Sequence, residues 1–510
     1  MENLPTTSSR LRHLRARVTF PRNLTAVHAL WLVITLGVVV RMYRLTAPLL
    51  DAHFFRQTQT ASQVWMWDRF GFTPLEYRVP MYGGGHWILE FPWYQWIVYA
   101  LTVPFGFHEE LGRLVSIAAF VASAYLLFAI GRRLLGSRAA AVAAVAAFSF
   151  MPLTVFYYRA FLIDPLLVAA ALLLFLAALK IGETFRWTWV AIFIAMVFVI
   201  ALGKANLLVV FGLPIVVVVL RALRARVLPV RGFAALVGGA AAAAIALLFW
   251  TRYADELNFA SNGQTFANMR WWYFGSTFFD VQLWLTIGQR FIEMLTPGGV
   301  LLAGVGLGVA LTLRDGRRGI ILALLASNIA SIAVFANLNR VHDYYQLPYF
   351  TTLALFLGLG VWTVATGLGR IRSKTIGIAA GLLIALTALW MANLFGPGYF
   401  RADAVQYGLV GQGSELADRT PDAQVLALMA GNPDPNEPAM LYLARRTGWR
   451  IPLTDQTQAE AIIGKATNLG SIAVYKDPTG GIPVPAWVAP LAAKAGFTLT
   501  HDSDGLAIYS

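Results

Sequence analysis

Long apolar stretches separated by short polar connectors occupy the first three quarters of the chain. Runs such as Ala139 to Phe150 and Leu207 to Leu220 are apolar on every face, which no soluble surface could carry. A window of roughly 19 residues predicts membrane-spanning helices near residues 26–44, 111–131, 139–157, 165–180, 187–203 and 206–222. Further spans are expected near 232–250, 298–313, 319–335, 346–367 and 374–395. The pattern therefore predicts a polytopic α-helical membrane protein of about 11 spans. One apolar segment, Trp87 to Phe107, breaks the alternation. Counted as a span it would move the basic connector Arg132 to Arg138 to the wrong side, so it is expected to lie along the outer interface or to dip in and return. Its Trp87, Trp93, Tyr94 and Trp96 suit that place.

Charge then orients the chain. The connectors Arg10 to Arg22, Arg132 to Arg138, Arg221 to Arg231, Arg314 to Arg318 and Arg370 to Lys374 are basic and fall in alternate loops, which predicts that they and the N-terminus are cytoplasmic. The loops that hold Asp51, Asp164, Lys204, Trp271 and His342 then face outward. The net charge of +14 is accounted for by these connectors, which argues against nucleic-acid binding. With no cysteine there is no disulfide or thiolate metal site. The first apolar stretch has no small-residue cleavage site and is followed by Arg41 and Arg44, so it reads as a retained span.

From Phe395 hydropathy falls and turn residues multiply, as in Gly431-Asn432-Pro433-Asp434-Pro435. Short strands are expected at Val425 to Met429, Ser471 to Tyr475 and Leu506 to Tyr509, and helices at Ala439 to Arg446, Ala459 to Ala466 and Val488 to Ala495. The expected organisation is a basic cytoplasmic segment (1–25), a transmembrane module (26–395) with outer loops at 45–110 and 251–297, and a small extracytoplasmic α/β domain (396–510).

Candidate chemistry gathers at the outer rim. An ionisable side chain at the edge of a membrane bundle is costly to bury without a partner or a task, and Asp51 and Asp164 both stand there. Asp51 opens the segment Asp51-Ala52-His53-Phe54-Phe55-Arg56-Gln57. A helix from about Ala52 would set Asp51 near its N-terminus and Arg56 one turn along, so that both border one pocket. Helix capping is the structural alternative for Asp51, and for Asp164 ahead of Pro165. The basic residues Arg56, Arg159, Lys204 and Arg340 are outward and so are not explained by orientation, although a lysine in the turn Leu202-Gly203-Lys204-Ala205-Asn206 could also snorkel.

These residues resemble a family. Asp51 after the first span, Leu89-Glu90-Phe91-Pro92-Trp93-Tyr94-Gln95-Trp96, and Arg159-Ala160-Phe161-Leu162-Ile163-Asp164-Pro165-Leu166 are similar to motifs of GT-C glycosyltransferases of the protein O-mannosyltransferase and lipid A aminoarabinose transferase type. The similarity covers roughly residues 26–390. Phe91 departs from it, standing where many relatives carry a lysine. The resemblance implies an integral membrane glycosyltransferase that takes a sugar from a polyprenyl-phosphate donor, with Asp51 as general base. Such a transfer needs a base for the acceptor and cations for the departing phosphate. Asp164 is the second catalytic candidate, and Arg56, Arg159, Lys204 and Arg340 are the phosphate candidates. Glu90, His53, His342 and Tyr345 are candidates for substrate or for a divalent metal ion, although no compact metal-ligand spacing is present. No cofactor is otherwise implied.

Aromatics in the outer loops, Trp271-Trp272-Tyr273 and Tyr344-Tyr345, could stack on a sugar or anchor at headgroups. Gly83-Gly84-Gly85 lacks P-loop flanks, which disfavours a nucleotide donor. The expected partners are the lipid-linked donor, the bilayer and an extracytoplasmic acceptor (a protein, a glycolipid or a cell-wall glycan), and the expected location is the inner (plasma) membrane. A lipid or sugar transporter is the opposing reading, but it would place charge near the midplane of broken helices; here the polar residues gather on one side.

Overall fold

The structure is a computed structural model that describes residues 26–265, 276–314, 316–368, 399–400, 404–477, 479 and 481–510. Among them eight helices are long and apolar enough to cross a membrane, which makes this a multi-pass membrane protein. Two shorter apolar helices, α1 (Ala26–Arg41) and α5 (Arg138–Phe150), fall on the expected segments at 26–44 and 139–157. The expected span at 374–395, the basic segment 1–25, the connector Arg370 to Lys374 and Trp271 to Tyr273 lie outside the described residues.

Between α1 and α5 the chain forms α2 (Phe54–Phe70), α3 (Trp93–Phe105) and α4 (Glu109–Leu134). Helix α3 has 13 residues, and at 1.5 Å per residue it is about 20 Å long, short of the roughly 30 Å apolar core. It leaves Ile97, Val103 and Phe105 exposed, as suits an interfacial helix. Then follow α6 (Pro152–Tyr157), α7 (Asp164–Glu183), α8 (Trp187–Lys204), α9 (Asn206–Arg224) and α10 (Val230–Asn262). Helices α11 (Val281–Leu311), α12 (Arg317–Val334), α13 (Ala336–Val341) and α14 (Leu347–Leu368) complete the described bundle.

The expected outer loop 251–297 is partly helical. Helix α10 runs on to Asn262 because its outer part is held by protein: Trp250, Ala254 and Asn258 are buried, and the Asn258 side chain bonds both the N–H and the C=O of Ile88, at 2.6 and 2.7 Å. Helix α11 likewise starts at Val281 and kinks at Thr296-Pro297, where φ is 65° at Thr296.

The basic connectors among the described residues gather at one end of the bundle. Arg133 pairs with Glu183 at 2.7 Å, Arg221 donates to the carbonyl of Gly316, and a Cβ on Gly136 would meet Arg317. Glu183 ends α7 while Asp164 begins it, so Asp164 stands about 30 Å away at the other end.

Helices α11 and α14 meet without side chains between them. A Cβ on Gly306 in α11 would lie 1.8 Å from the carbonyl oxygen of Phe356, and one on Gly360 in α14 would lie 1.8 Å from that of Leu302. Small residues permit such close backbone approach in membranes. Gly360→Leu should separate these helices and lower the detergent Tm sharply, whereas Gly367→Leu, which has nothing within 4 Å of its Cβ position, should leave it unchanged.

The C-terminal part comprises α15 (Ala404–Arg419), β1 (Gln424–Met429), α16 (Ala439–Leu443), β2 (Gly448–Pro452), α17 (Gln456–Lys465), β3 (Leu469–Tyr475), α18 (Val488–Lys494), β4 (Leu499–Asp502) and β5 (Leu506–Tyr509). The sheet order is β2-β1-β3-β5-β4, with β1 parallel to β2 and β3, and β5 antiparallel to β3 and β4. Strands β2 and β4 add to the three expected. Glycine, arginine and proline conceal β2 in the sequence, and its Arg450 is buried only because Glu437 pairs with it. One sheet face packs on α17 and α18. The other meets Leu416, Met440 and the outer-loop residues Val79, Met81 and Trp87, so the domain rests on the end of the bundle that carries Asp51. Gly83, at φ 70°, receives the Trp449 ring where a Cβ would stand and donates to the Gly448 carbonyl at 2.8 Å.

Candidate active site

Helix α2 begins two residues later than the spacing suggested. His53, at φ 56°, turns the chain through the left-handed region and precedes the helix without a side-chain cap. Asp51 is therefore neither a cap nor the partner of Arg56. Its Oδ1 accepts from Gln57 Nε2 at 2.6 Å and its Oδ2 lies 3.1 Å from Arg159 Nη2. Gln57 also accepts the Phe161 N–H at 3.1 Å, which joins the Asp51 turn to the loop that carries Asp164.

The preceding turn is held by Arg113, which is fully buried and donates to the carbonyls of Arg44 (3.3 Å), Leu45, Ala47 (2.5 Å) and Pro48 (3.5 Å). Each carbonyl of the turn has two lone pairs, and one guanidinium serves several of them. Burial pulls the Arg159 guanidinium down to about 10 against the opposing pull of Asp51.

A second group lies beside this one. Lys204 ends α8 with its Nζ 2.7 Å from Asp164 Oδ1, both side chains about 6% exposed. The same ammonium stands 4.9 and 4.5 Å from the ring centroids of Tyr344 and Tyr345. Lys204 is thus a buried partner and not a snorkelling residue, and Asp164 sits in the first helical turn with its carboxylate committed to Lys204. The other oxygen of Asp164 is buried without a partner, as is Nε2 of Gln59. Arg56 pairs with Glu90 and donates to Gln59 Oε1 at 2.6 Å. Burial opposes its charge, but Glu90 and the nearby tyrosines outweigh burial and hold the guanidinium above its ordinary value.

Along one side His53 Nε2 lies 2.8 Å from Asp343 Oδ1. Asp343 also accepts from Tyr157 and, at 2.5 Å, from Tyr399. His342 stacks on Tyr344 with centroids 4.9 Å apart; burial, then the charges of His53, Lys204 and Arg56, push it down to about 3.

Of the residues expected at the site, Asp51, Asp164, Arg56, Arg159, Lys204, Glu90, His53, His342 and Tyr345 come together in this way. Arg340 does not. It is half exposed and pairs with Asp280 at 3.2 Å, and its position in the short α13 turns it to the bundle surface. Glu90, His53 and His342 do not form a shared metal cage: Glu90 is bonded to Arg56 and His53 to Asp343, and among the described residues no group of three His, Asp or Glu side chains could hold an ion. Gln57, Arg113, Tyr157 and Tyr399 were not expected. Arg113 was visible as a lone charge inside a predicted span, and Gln57 as part of a polar run in apolar surroundings. For Tyr157 and Tyr399 the sequence holds no signal.

Residues 89–250 match the sequence model of the dolichyl-phosphate-mannose-protein mannosyltransferase family. No curated protein matches the chain in sequence. Among solved structures, ArnT from Cupriavidus metallidurans bound to undecaprenyl phosphate is similar with a TM-score of 0.62 at 15% identity, over 94% of this chain and 97% of that one. The chain has the fold of the GT-C glycosyltransferases. Two further GT-C structures agree. The oligosaccharyltransferase AglB from Archaeoglobus fulgidus, in complex with an inhibitory peptide and a dolichol-phosphate, gives a TM-score of 0.55 at 11% identity over 88% of this chain and 69% of that one. The arabinofuranosyltransferase AftD from Mycobacteria gives 0.53 at 16% over 94% and 41%. The family-model match includes Glu90, Arg113, Arg159, Asp164 and Lys204, and so covers much of this site.

Proposed function

We propose that this GT-C chain transfers a sugar from a polyprenyl-phosphate donor to an acceptor outside the cytoplasm, in the plasma membrane. The observation that carries the reading is the buried charge cluster at one end of the bundle, opposite the basic connectors. By the positive-inside rule those connectors are cytoplasmic, which makes the site extracytoplasmic. The ArnT and AglB structures named above hold polyprenyl phosphates, and a lipid phosphate suits the cations of this cluster.

In this reading Lys204, Arg56 and Arg159 receive the donor phosphate, whose negative charge grows as the sugar departs. Asp51 takes the proton of the acceptor hydroxyl. Its two oxygens each hold one donor, which sets its orientation, and a carboxylate with about four lone-pair sites keeps capacity for a further proton. The unpartnered oxygen of Asp164 receives a substrate hydroxyl. Arg340 has no part in this reading, and neither does a metal ion. The acceptor is a protein, a glycolipid or a cell-wall glycan.

Purified protein in liposomes, given radiolabelled polyprenyl-phosphate sugar and a cell-envelope extract, should release free polyprenyl phosphate and label an acceptor. Uptake of label across the bilayer without product would instead support a transporter.

A further inference from the structure

Transfer from a lipid phosphate involves a second proton. As the anomeric C–O bond breaks, charge collects on a phosphate whose second ionisation lies near 6, and a group that titrates in the same range could donate to it. Histidine is the side chain that does so without perturbation.

His53 is built for a task of that kind. Its φ of 56° is a backbone conformation that a residue with a Cβ rarely adopts. Such strain persists where the surroundings hold it, and it concentrates at functional sites. The restraint is Asp343, fixed by three donors: His53 Nε2, the Tyr157 hydroxyl and the Tyr399 hydroxyl. Tyr399 also accepts the N–H of Ala52 at 3.0 Å, so it fixes both the carboxylate and the backbone that bears the imidazole. Nε2 is committed to Asp343, which leaves Nδ1 for a ligand. The His53 side chain is 25% exposed and that of Asp343 only 12%.

The other rings facing His53 are Tyr157, His342 and Tyr344, at centroid distances of 5.9, 5.9 and 5.2 Å. Tyr344, whose ring centroid lies 5.2 Å from that of His53, has the Lys204 ammonium 4.9 Å from its centroid. His53 therefore borders one of the cations assigned to the phosphate. Of the two histidines, burial and neighbouring charges push His342 down to about 3, while His53 Nε2 is held by Asp343.

We propose that His53 is the acid that protonates the departing polyprenyl phosphate, with Asp343, Tyr157 and Tyr399 as its positioning residues. This rests on the glycosyl-transfer reading above. The acceptor oxygen bonds to the anomeric carbon as the bond from that carbon to the phosphate oxygen breaks. The electron pair of the broken bond stays on the phosphate oxygen, which takes the proton from His53 Nδ1. The acceptor proton passes to Asp51, and solvent then reprotonates the imidazole and deprotonates the carboxylic acid.

The left-handed backbone provides a clean test, because glycine occupies it without penalty. His53→Gly should fold with an unchanged or higher Tm. Its kcat should fall by about 10²–10⁴-fold, with little change in donor KM. Added imidazole should restore turnover in proportion to the imidazolium fraction. Wild-type turnover should fall on the basic side of its pH profile, and His53→Gly should lack this limb. Asp343→Asn loses the carboxylate that orients the ring, so kcat should fall with donor KM little changed and the basic limb retained.

Near-wild-type kcat in His53→Gly, or the loss of the acidic limb in place of the basic one, would overturn the assignment while wild-type transfer kept the parent reading intact. Failure of the wild-type protein to transfer sugar would remove both.

Discussion

Asp51→Asn should lower turnover by about 10²–10⁴-fold, the usual contribution of a positioned acid or base, while donor KM changes little. The argument is one of charge at nearly constant volume. Asn keeps the shape of Asp51 but loses the basic oxygen, and its amide cannot accept from both Gln57 and Arg159, the two donors that hold Asp51. One buried donor is left unpaired, which costs about 1–3 kcal/mol. The Tm should therefore drop modestly and the turnover severely. Single-turnover kinetics with radiolabelled donor, measured beside a melting curve, separates the two. A rise in KM with kcat unchanged would make Asp51 a binding anchor and move the base elsewhere.

The second large effect concerns Lys204 and Asp164, joined at 2.7 Å and almost wholly buried. Lys204→Met leaves a buried carboxylate without its cation and should cost about 3–5 kcal/mol of stability. The double variant Asp164→Leu, Lys204→Met removes both charges and should recover most of that stability, because an apolar pair of similar volume often replaces a buried ion pair at little cost. Turnover should be lost in both. Recovery of turnover along with stability would show that the pair serves folding alone.

Much of the architecture was legible because a bilayer imposes long apolar segments. The segments near 165–180 and 206–222 appear as α7 and α9 with edges displaced by a few residues. For Trp87 to Phe107 the sign of the flanking loops argued against a full span, and its helix α3 has 13 residues. Contacts made late in the chain were not legible. Helix α10 extends to Asn262 because Asn258 meets the backbone of Ile88, 170 positions away, and periodicity cannot see such a partner.

The site divides in the same way. Residue type and position at the rim singled out Asp51, Asp164, Arg56 and Lys204, since charge at a membrane edge is costly without a partner. Their pairing was not visible. Arg56 and Asp51 are five positions apart yet take different partners, Glu90 and Arg159, because the left-handed turn at His53 separates the carboxylate from the helix. Arg340 shared the chemistry of the other cations, but its helix directs it to Asp280 at the surface. The positioning of Asp51 depends on carbonyls gathered by Arg113, and backbone acceptors leave no mark in a sequence.

The central claim is that the charge cluster at the Asp51 end of the bundle binds a lipid phosphate between these cations and opposite these carboxylates. The most direct measurement is an experimental structure of the protein in lipid nanodiscs with polyprenyl phosphate bound. The phosphate should lie within hydrogen-bond distance of Lys204 and Arg56, with Nδ1 of His53 turned toward it and Asp51 across the space left for the sugar. A phosphate seated among Arg133, Arg221 and Arg317 at the other end of the bundle would contradict the account.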